Sequence, residues 1–228
     1  AANKFLGEKR DDIEVVGDEL HPIGKVKDFT PYARKIVASG ADAVITGNWG
    51  ADMQLLMKAA AESGSDIPYL TFYGGSKGAV AALADGAVDR LYQVTEGITN
   101  LPTSDEQNAL VEEYKSRFPD YDYYYHRAHN ALRMFKAAAE KAGSTDPIAV
   151  ATALEGLTID EPYGGQVTMR ASDHQAQQNL YISTVSKTGG DVKYGVDNVD
   201  YGWKLVPNGE ISAASAEQPT TCEMKRPG

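Results

Sequence analysis

Two short stretches hold the residues with the most chemical potential. Asn48-Trp49-Gly50 places an amide, an indole and a glycine in a row. Tyr73-Gly74-Gly75-Ser76 places a phenol and a hydroxyl around two glycines. An amide both donates and accepts hydrogen bonds, and an indole offers a flat apolar face with one donor. Glycine lets backbone approach a ligand closely. This is the chemistry of enclosing a small molecule, and it leaves bonds unbroken. Tyr121, Tyr123, Tyr124 and Tyr125 gather before His126 and Arg127. Tyr125 is expected to line a ligand-facing hinge, while Arg127 is expected in a salt bridge or in solvent.

Other combinations point away from catalysis. His126 and His129 stand three apart, but no nearby cysteine or acid completes a metal site of at least three ligands. His174, within Asp173-His174-Gln175, has no serine or cysteine nucleophile in a strained turn beside it, and a structural hydrogen bond is expected there. Gly74-Gly75-Ser76-Lys77-Gly78 lacks the spacing of a phosphate loop. No catalytic residue, metal or cofactor is expected. Cys222 is single among 228 residues, so it cannot close an internal disulfide. It is either an unpaired thiol near the terminus or half of a bridge whose partner lies elsewhere.

The elements that must position these turns alternate. Ile13 to Val16 reads as a strand. Thr30-Pro31 reads as a helix start with Thr30 as cap, and Gly40 as its stop. Ala43 to Thr46 is a strand, Asp52 to Ser63 a helix, and Ile67 to Phe72 a strand. A short helix over Lys77 to Ala84 and a strand over Leu91 to Val94 follow. Apolar strands alternating with amphipathic helices predict a parallel sheet covered on both faces. Right-handed crossovers then bring the strands' carboxyl ends to one edge, where ligands bind in open sheets. That edge carries Asp18-Glu19, Gly47 to Gly50, Tyr73 to Ser76, and Thr95-Glu96.

Further on, Ser104 and Gln107 form a capping-box pair before a helix bearing Leu110, Val111, Tyr114 and Phe118. A longer helix shows Tyr125, Ala128, Leu132, Phe135 and Ala139 at helical spacing. A third starts at Asp146-Pro147. Only Gly165 to Met169 reads as a strand in this stretch. These helices have apolar stripes and no sheet of their own to cover. Two further strands are expected, over Leu180 to Val185 and Tyr201 to Val206. Residues beyond Ile211 are expected as an extended tail. The formal net charge of −10 excludes nucleic acid, whose phosphates require clustered Lys and Arg.

Four stretches resemble the type I periplasmic solute-binding proteins of the branched-chain amino acid (Leu/Ile/Val-binding-like) transport class. They are Gly24 to Tyr32, Ser39-Gly40-Ala41-Asp42-Ala43-Val44, Ile67-Pro68 running into Tyr73-Gly74-Gly75, and Gly164 to Arg170 with Asp173-His174-Gln175. The resemblance spans nearly the whole chain. It implies an α/β, two-lobed type I periplasmic binding protein fold, truncated, with its amino-terminal part missing. Residues 1–98 correspond to lobe two, 99–178 to part of lobe one, and 179–228 to the return into lobe two. It also implies a periplasmic protein that binds a solute between its lobes and hands it to a membrane ABC permease. The implied ligand-binding residues are Asn48, Trp49, Tyr73, Gly74, Ser76 and Tyr125. Amino acid binders of this class commonly carry a carboxylate in the second turn, where this chain has Ser76 and Lys77. The expected solutes therefore extend from amino acids to aromatic or other carboxylic acids and amides. The alternative is a ligand-sensing regulatory protein on the same fold.

Overall fold

The structure is a computed structural model describing residues 2–75, 78–101, 105–123, 126–162 and 165–226. Helix α1 (Ala2–Lys9) opens the chain. Ile13 to Val16, expected as a strand, forms none. A strand exists only as part of a ladder, and the described residues bring no partner to this stretch. Its apolar side chains stand exposed.

Helix α2 (Thr30–Ser39) starts and stops near its expected ends, with a change of cap. Asp28 Oδ1, not Thr30, accepts from a first-turn amide, the Thr30 N–H, at 2.8 Å. Pro31 sits in the first turn, and Gly40 closes the helix at φ +70°, where a side chain would be strained.

Strands β1 (Val44–Thr46), β2 (Tyr69–Thr71) and β3 (Leu91–Thr95) run parallel in that order. Helix α3 (Gly50–Glu62) and helix α4 (Ala79–Leu83), with a 3-10 turn over Ala84–Ala87, make the two crossovers. Both crossovers step in the same direction across the sheet. Right-handed connections of that kind put their helices on the same face. Burial follows suit. Tyr69, Thr71, Leu91, Gln93 and Thr95 are buried with Met53, Leu56, Met57 and Val80, whereas Ile45 and Leu70 on the opposite side are exposed. The sheet is thus covered on one face among the described residues, not on both as its apolar strands led one to expect.

A second region follows, with α5 (Asp105–Arg117), α6 (His126–Ala142) and α7 (Pro147–Leu154). Asp146 caps α7 through the amides of Ile148 and Ala149, with Pro147 at its first turn, as anticipated. Ser104 of the expected capping box lies outside the described residues. Gln107 reaches elsewhere, donating to the carbonyls of Ile98 and Thr99 at 3.1 and 3.0 Å. Helix α6 buries His126, Asn130, Met134 and Ala138, while Leu132 and Phe135 of the anticipated stripe are exposed. Three strands, not one, complete the region: β4 (Thr158–Asp160), β5 (Gln166–Met169) and β6 (Ala176–Gln177), all antiparallel. Two of them are too short to leave a period in the sequence.

The chain then returns to the first sheet. β7 (Leu180–Lys187) pairs antiparallel with β3, and β8 (Tyr201–Ile211) with β7, giving the order β1-β2-β3-β7-β8. A short α8 (Ala213–Ala216) interrupts the tail that was expected to be extended throughout. The tail folds back on the second region, where Arg226 pairs with Glu155 at 2.6 Å and Arg170 with Glu217 at 3.1 Å. No helix among the described residues is long and apolar enough to cross a membrane.

One-sided burial sets the response to mutation. Leu91 is fully buried, whereas Leu70, which pairs with Tyr92 and faces the other side of the sheet, is 38% exposed. Leu91→Ala is expected to cost about 2–5 kcal/mol in urea unfolding, and Leu70→Ala less than about 1 kcal/mol. Equal losses would mean that the second face is covered in solution.

Candidate functional site

The parallel ladder decides what meets at its carboxyl edge. Thr46, Thr71 and Gln93 are level across β1, β2 and β3. The chain leaves β1 into Gly47-Asn48-Trp49 and β2 into Phe72-Tyr73-Gly74-Gly75, while β3 ends two residues further on, before Glu96. Trp49 is 63% exposed at the N-cap of α3, and Phe72 and Tyr73 are also exposed. Three large aromatic side chains at the ends of two neighbouring strands form an apolar rim of the kind that covers a small molecule.

Asn48 is held from several sides. Its N–H donates to Thr46 Oγ1 at 3.1 Å, and its Oδ1 lies 2.7 Å from His21 Nε2. His21 itself stands edge-on to Phe29 and near Tyr32. The loop over residues 17–25 is also pinned through the Gly24 N–H, which donates to the buried Asp52 at 2.8 Å.

The two glycines of the second turn are required by crowding. Neither has a positive φ. A Cβ on Gly74 would fall 2.9 Å from the Asn48 carbonyl oxygen and 3.0 Å from Met53 Sδ. One on Gly75 would strike the Trp203 ring and Gln93 Oε1. Gly74 also donates its N–H to Thr71 Oγ1 at 3.0 Å. Gly74 thus fits the first two turns against each other, and Gly75 seats the second on β8.

The carboxylate absent from the second turn arrives from the next strand. Glu96 follows β3 and is only 4% exposed. Arg127, in the first turn of α6, forms an ion pair with Glu96, its Nε 3.0 Å from Glu96 Oε1. Its guanidinium lies 4.1 Å from the centroid of the Tyr73 ring. The Tyr73 hydroxyl donates to Glu96 Oε2 at 3.4 Å. Burial, and then the Glu96 charge, push the Tyr73 phenol above its usual range. Arg127 is therefore salt-bridged, as expected.

Behind this group the connection between the two regions is fastened. Asn100 is a buried amide whose Nδ2 donates to the carbonyls of Tyr194 and Trp203 at 2.9 and 3.0 Å, and whose Oδ1 accepts from Tyr194 N–H at 2.8 Å. Thr99 Oγ1 donates to the Tyr123 carbonyl at 3.1 Å. His126 is buried against Gly97 and stands edge-on to Tyr123, with ring centroids 4.9 Å apart. The cavity bounded by Gln93, Gly97, Thr99, Tyr123, His126 and Trp203 holds about 10 Å³, room for about one water. That cavity is too small to hold a solute.

Of the six residues expected to bind ligand, the fold brings Asn48, Trp49, Tyr73 and Gly74 to one edge; Ser76 and Tyr125 lie outside the described residues. Sequence reasoning placed Glu96 on this edge but gave it no role, and it missed Phe72 and Asn100. Glu96 meets Arg127 across 31 positions, a separation at which no local pattern shows. His174 stands 3.6 Å from Glu155 in a structural contact, and Cys222 is exposed.

A family profile described as periplasmic binding protein matches residues 7–191. The chain is 32% identical to Leu/Ile/Val-binding protein homolog 4 of Brucella abortus, covering 94% of this chain and 51% of that protein. It is 29% identical, with a TM-score of 0.81, to the closed conformation of a leucine-, isoleucine-, valine-, threonine- and alanine-binding protein from Brucella ovis, over 94% of this chain and 55% of that one. It shares its fold with a solute-binding protein of an R. palustris ABC transporter in complex with 4-hydroxybenzoate, at a TM-score of 0.73 and 17% identity, over 92% of this chain and 55% of that one. The chain spans about half the length of these relatives.

Burial holds the His126 imidazole down at about 4, with the His129 and Arg127 charges acting in the same direction. The ring is neutral in the fold and protonates near pH 6.5 once unfolded. Stability is therefore expected to fall as pH drops from about 6.5 towards 4, by up to about 3 kcal/mol. His126→Gln, measured by urea unfolding across that window, should flatten the slope. An unchanged slope would place the titrating group elsewhere.

Proposed function

The chain belongs to the periplasmic binding protein family, and from that premise we propose that it is part of the substrate-binding component of an ABC transporter. It works in the periplasm, binds a small solute between two lobes and delivers it to a membrane permease. The solute is an amino acid or an aromatic or other carboxylic acid, with amides in the same size range. The observation that carries this reading is the carboxyl edge itself. Trp49, Phe72 and Tyr73 present exposed aromatic surface beside the Glu96–Arg127 pair. Open sheets of this class receive ligands at that edge, and apolar walls with a few placed polar groups are what small ligands select.

We assign residues 1–98 and 179–228 to one lobe and residues 99–178 to part of the other. Supporting the division, β7 and β8 join the sheet of β1 to β3, β4 to β6 form a separate sheet, and α6 and α7 pack on each other around Ala138 and Val150. The crossover through Gly97 to Leu101 is the hinge about which closure occurs, with a bridging solute favouring the closed population.

A thermal-shift screen against branched-chain amino acids, aromatic acids, dicarboxylates and amides tests the reading. A true solute at a hundred times its Kd adds about 2.7 kcal/mol, which is a rise of about 5–10 °C for a chain of this size. The rise should follow dose, belong to one class and shrink in Trp49→Ala. A flat response to all four classes counts against solute binding.

A further inference from the structure

After β8 the chain passes once more from the first region to the second. β8 ends at Ile211, which pairs with Leu180, the first residue of β7. The outgoing segment therefore starts beside residues 178–179, which bring the chain in from β6. One side chain joins the two passages. Asn179 Nδ2 donates to Glu210 Oε1 at 2.8 Å, and its Oδ1 accepts from the Ala213 N–H at 2.9 Å. Beyond α8 the segment is held by the second region. Arg170, directly after β5, donates from Nη1 to Glu217 Oε1 at 3.1 Å and to the Gln218 carbonyl at 2.7 Å. Its Nε and Nη2 grip Asp173 at 2.9 and 2.5 Å, in a pair whose side chains are only 15% and 8% exposed. Such a two-pronged grip fixes the guanidinium plane and so aims Nη1 at the segment. Arg226 returns the hold, donating from Nε to Glu155 Oε1 at 2.6 Å and from Nη2 to the Ala171 carbonyl. On the other side, a cavity of about 630 Å³ separates residues 218–222 from Lys4 and Phe5 of α1. No residue from Ser212 to Arg226 is buried, so the attachment is polar.

We propose that residues 212–226 form a clasp that moves with the second region and that, stapled by Asn179 to the incoming passage, restrains the motion of the two regions. A single extended passage absorbs a rotation in a few backbone dihedrals. Two passages joined side by side have to bend together. A rotation that pulled the clasp from Arg170 would strip a largely buried guanidinium of two acceptors, and a buried donor left unpaired is costly. The clasp therefore follows the second region, and the bending falls on residues 178–179 and 211–212. Residues 212–226 are thereby parted from β8, with which chain order groups them. No solute takes part, so the clasp is independent of the solute-binding reading.

Distances between nitroxide labels, read by pulsed electron resonance, test this in the full chain. Lys58 on α3 and Lys136 on α6 are exposed and mark the two regions. With Cys222→Ser, labels at Lys58→Cys and Lys136→Cys report the relative motion directly. Ending the chain after Ala216, or Asn179→Ala, should widen that distribution about twofold. The exposed Cys222 carries a label on the clasp itself. In Asn179→Ala the distance from Cys222 to Lys136→Cys should stay sharp, while that from Cys222 to Lys58→Cys broadens. Glu217→Gln with Arg226→Gln should broaden the Cys222 to Lys136→Cys distance. It keeps the chain at full length, and its Lys58→Cys to Lys136→Cys distance replaces the shortened chain's readout if that chain fails to fold. An inter-region distribution that none of these changes widens overturns the restraint. A label on Cys222 that keeps its distance to Lys58→Cys and loses that to Lys136→Cys in Asn179→Ala overturns the assignment of the clasp to the second region.

Discussion

Because β1, β2 and β3 run parallel with Thr46, Thr71 and Gln93 level, each strand hands its chain to solvent along the same edge. That register is the constraint on which the rest depends. It sets Trp49, Tyr73 and Glu96 side by side although 47 positions separate the first from the last. It also leaves Gly74 and Gly75 no room for a side chain, since the neighbouring turn and the Trp203 ring close in on them. A one-residue slip would turn the buried Tyr69, Leu91 and Gln93 outward and dissolve the edge with the core.

The same connectivity explains an asymmetry. Two crossovers stepping one way place α3 and α4 on one face, and the opposite face keeps Ile45 and Leu70 in water. The second region repeats the pattern, with α6 burying one stripe and exposing Leu132 and Phe135. The chain spans about half the length of the relatives it matches.

Electrostatics are concentrated where the two regions touch. Elsewhere the ion pairs are largely exposed, as in Lys136–Glu140 and Arg117–Glu113, and each adds little. The Glu96–Arg127 pair joins the end of the sheet to the start of α6, and Asn100 and Gln107 fasten the connection between them with amides. The connection also packs into the main core through Ile98 and Leu101, and Val111 and Tyr123 meet Tyr194 across the boundary, so the two regions share apolar as well as polar contacts.

The sequence by itself determined the alternation of β1, β2 and β3 with their helices, the returning strands β7 and β8, the α5 to α7 helices and the family resemblance. Each of these rests on periodicity, caps or short motifs that are local in the chain. It also placed Asn48, Trp49, Tyr73 and Gly74 at strand ends, because the carboxyl edge of a parallel sheet follows from strand order alone. Only the tertiary structure decided that Ile13 to Val16 remains unpaired, that one sheet face stays open, that α6 turns Met134 inward and Leu132 outward, and that Glu96 finds Arg127. Those outcomes depend on which surfaces meet. Pairing and burial are set by contacts between distant segments, and neither residue type nor spacing records them.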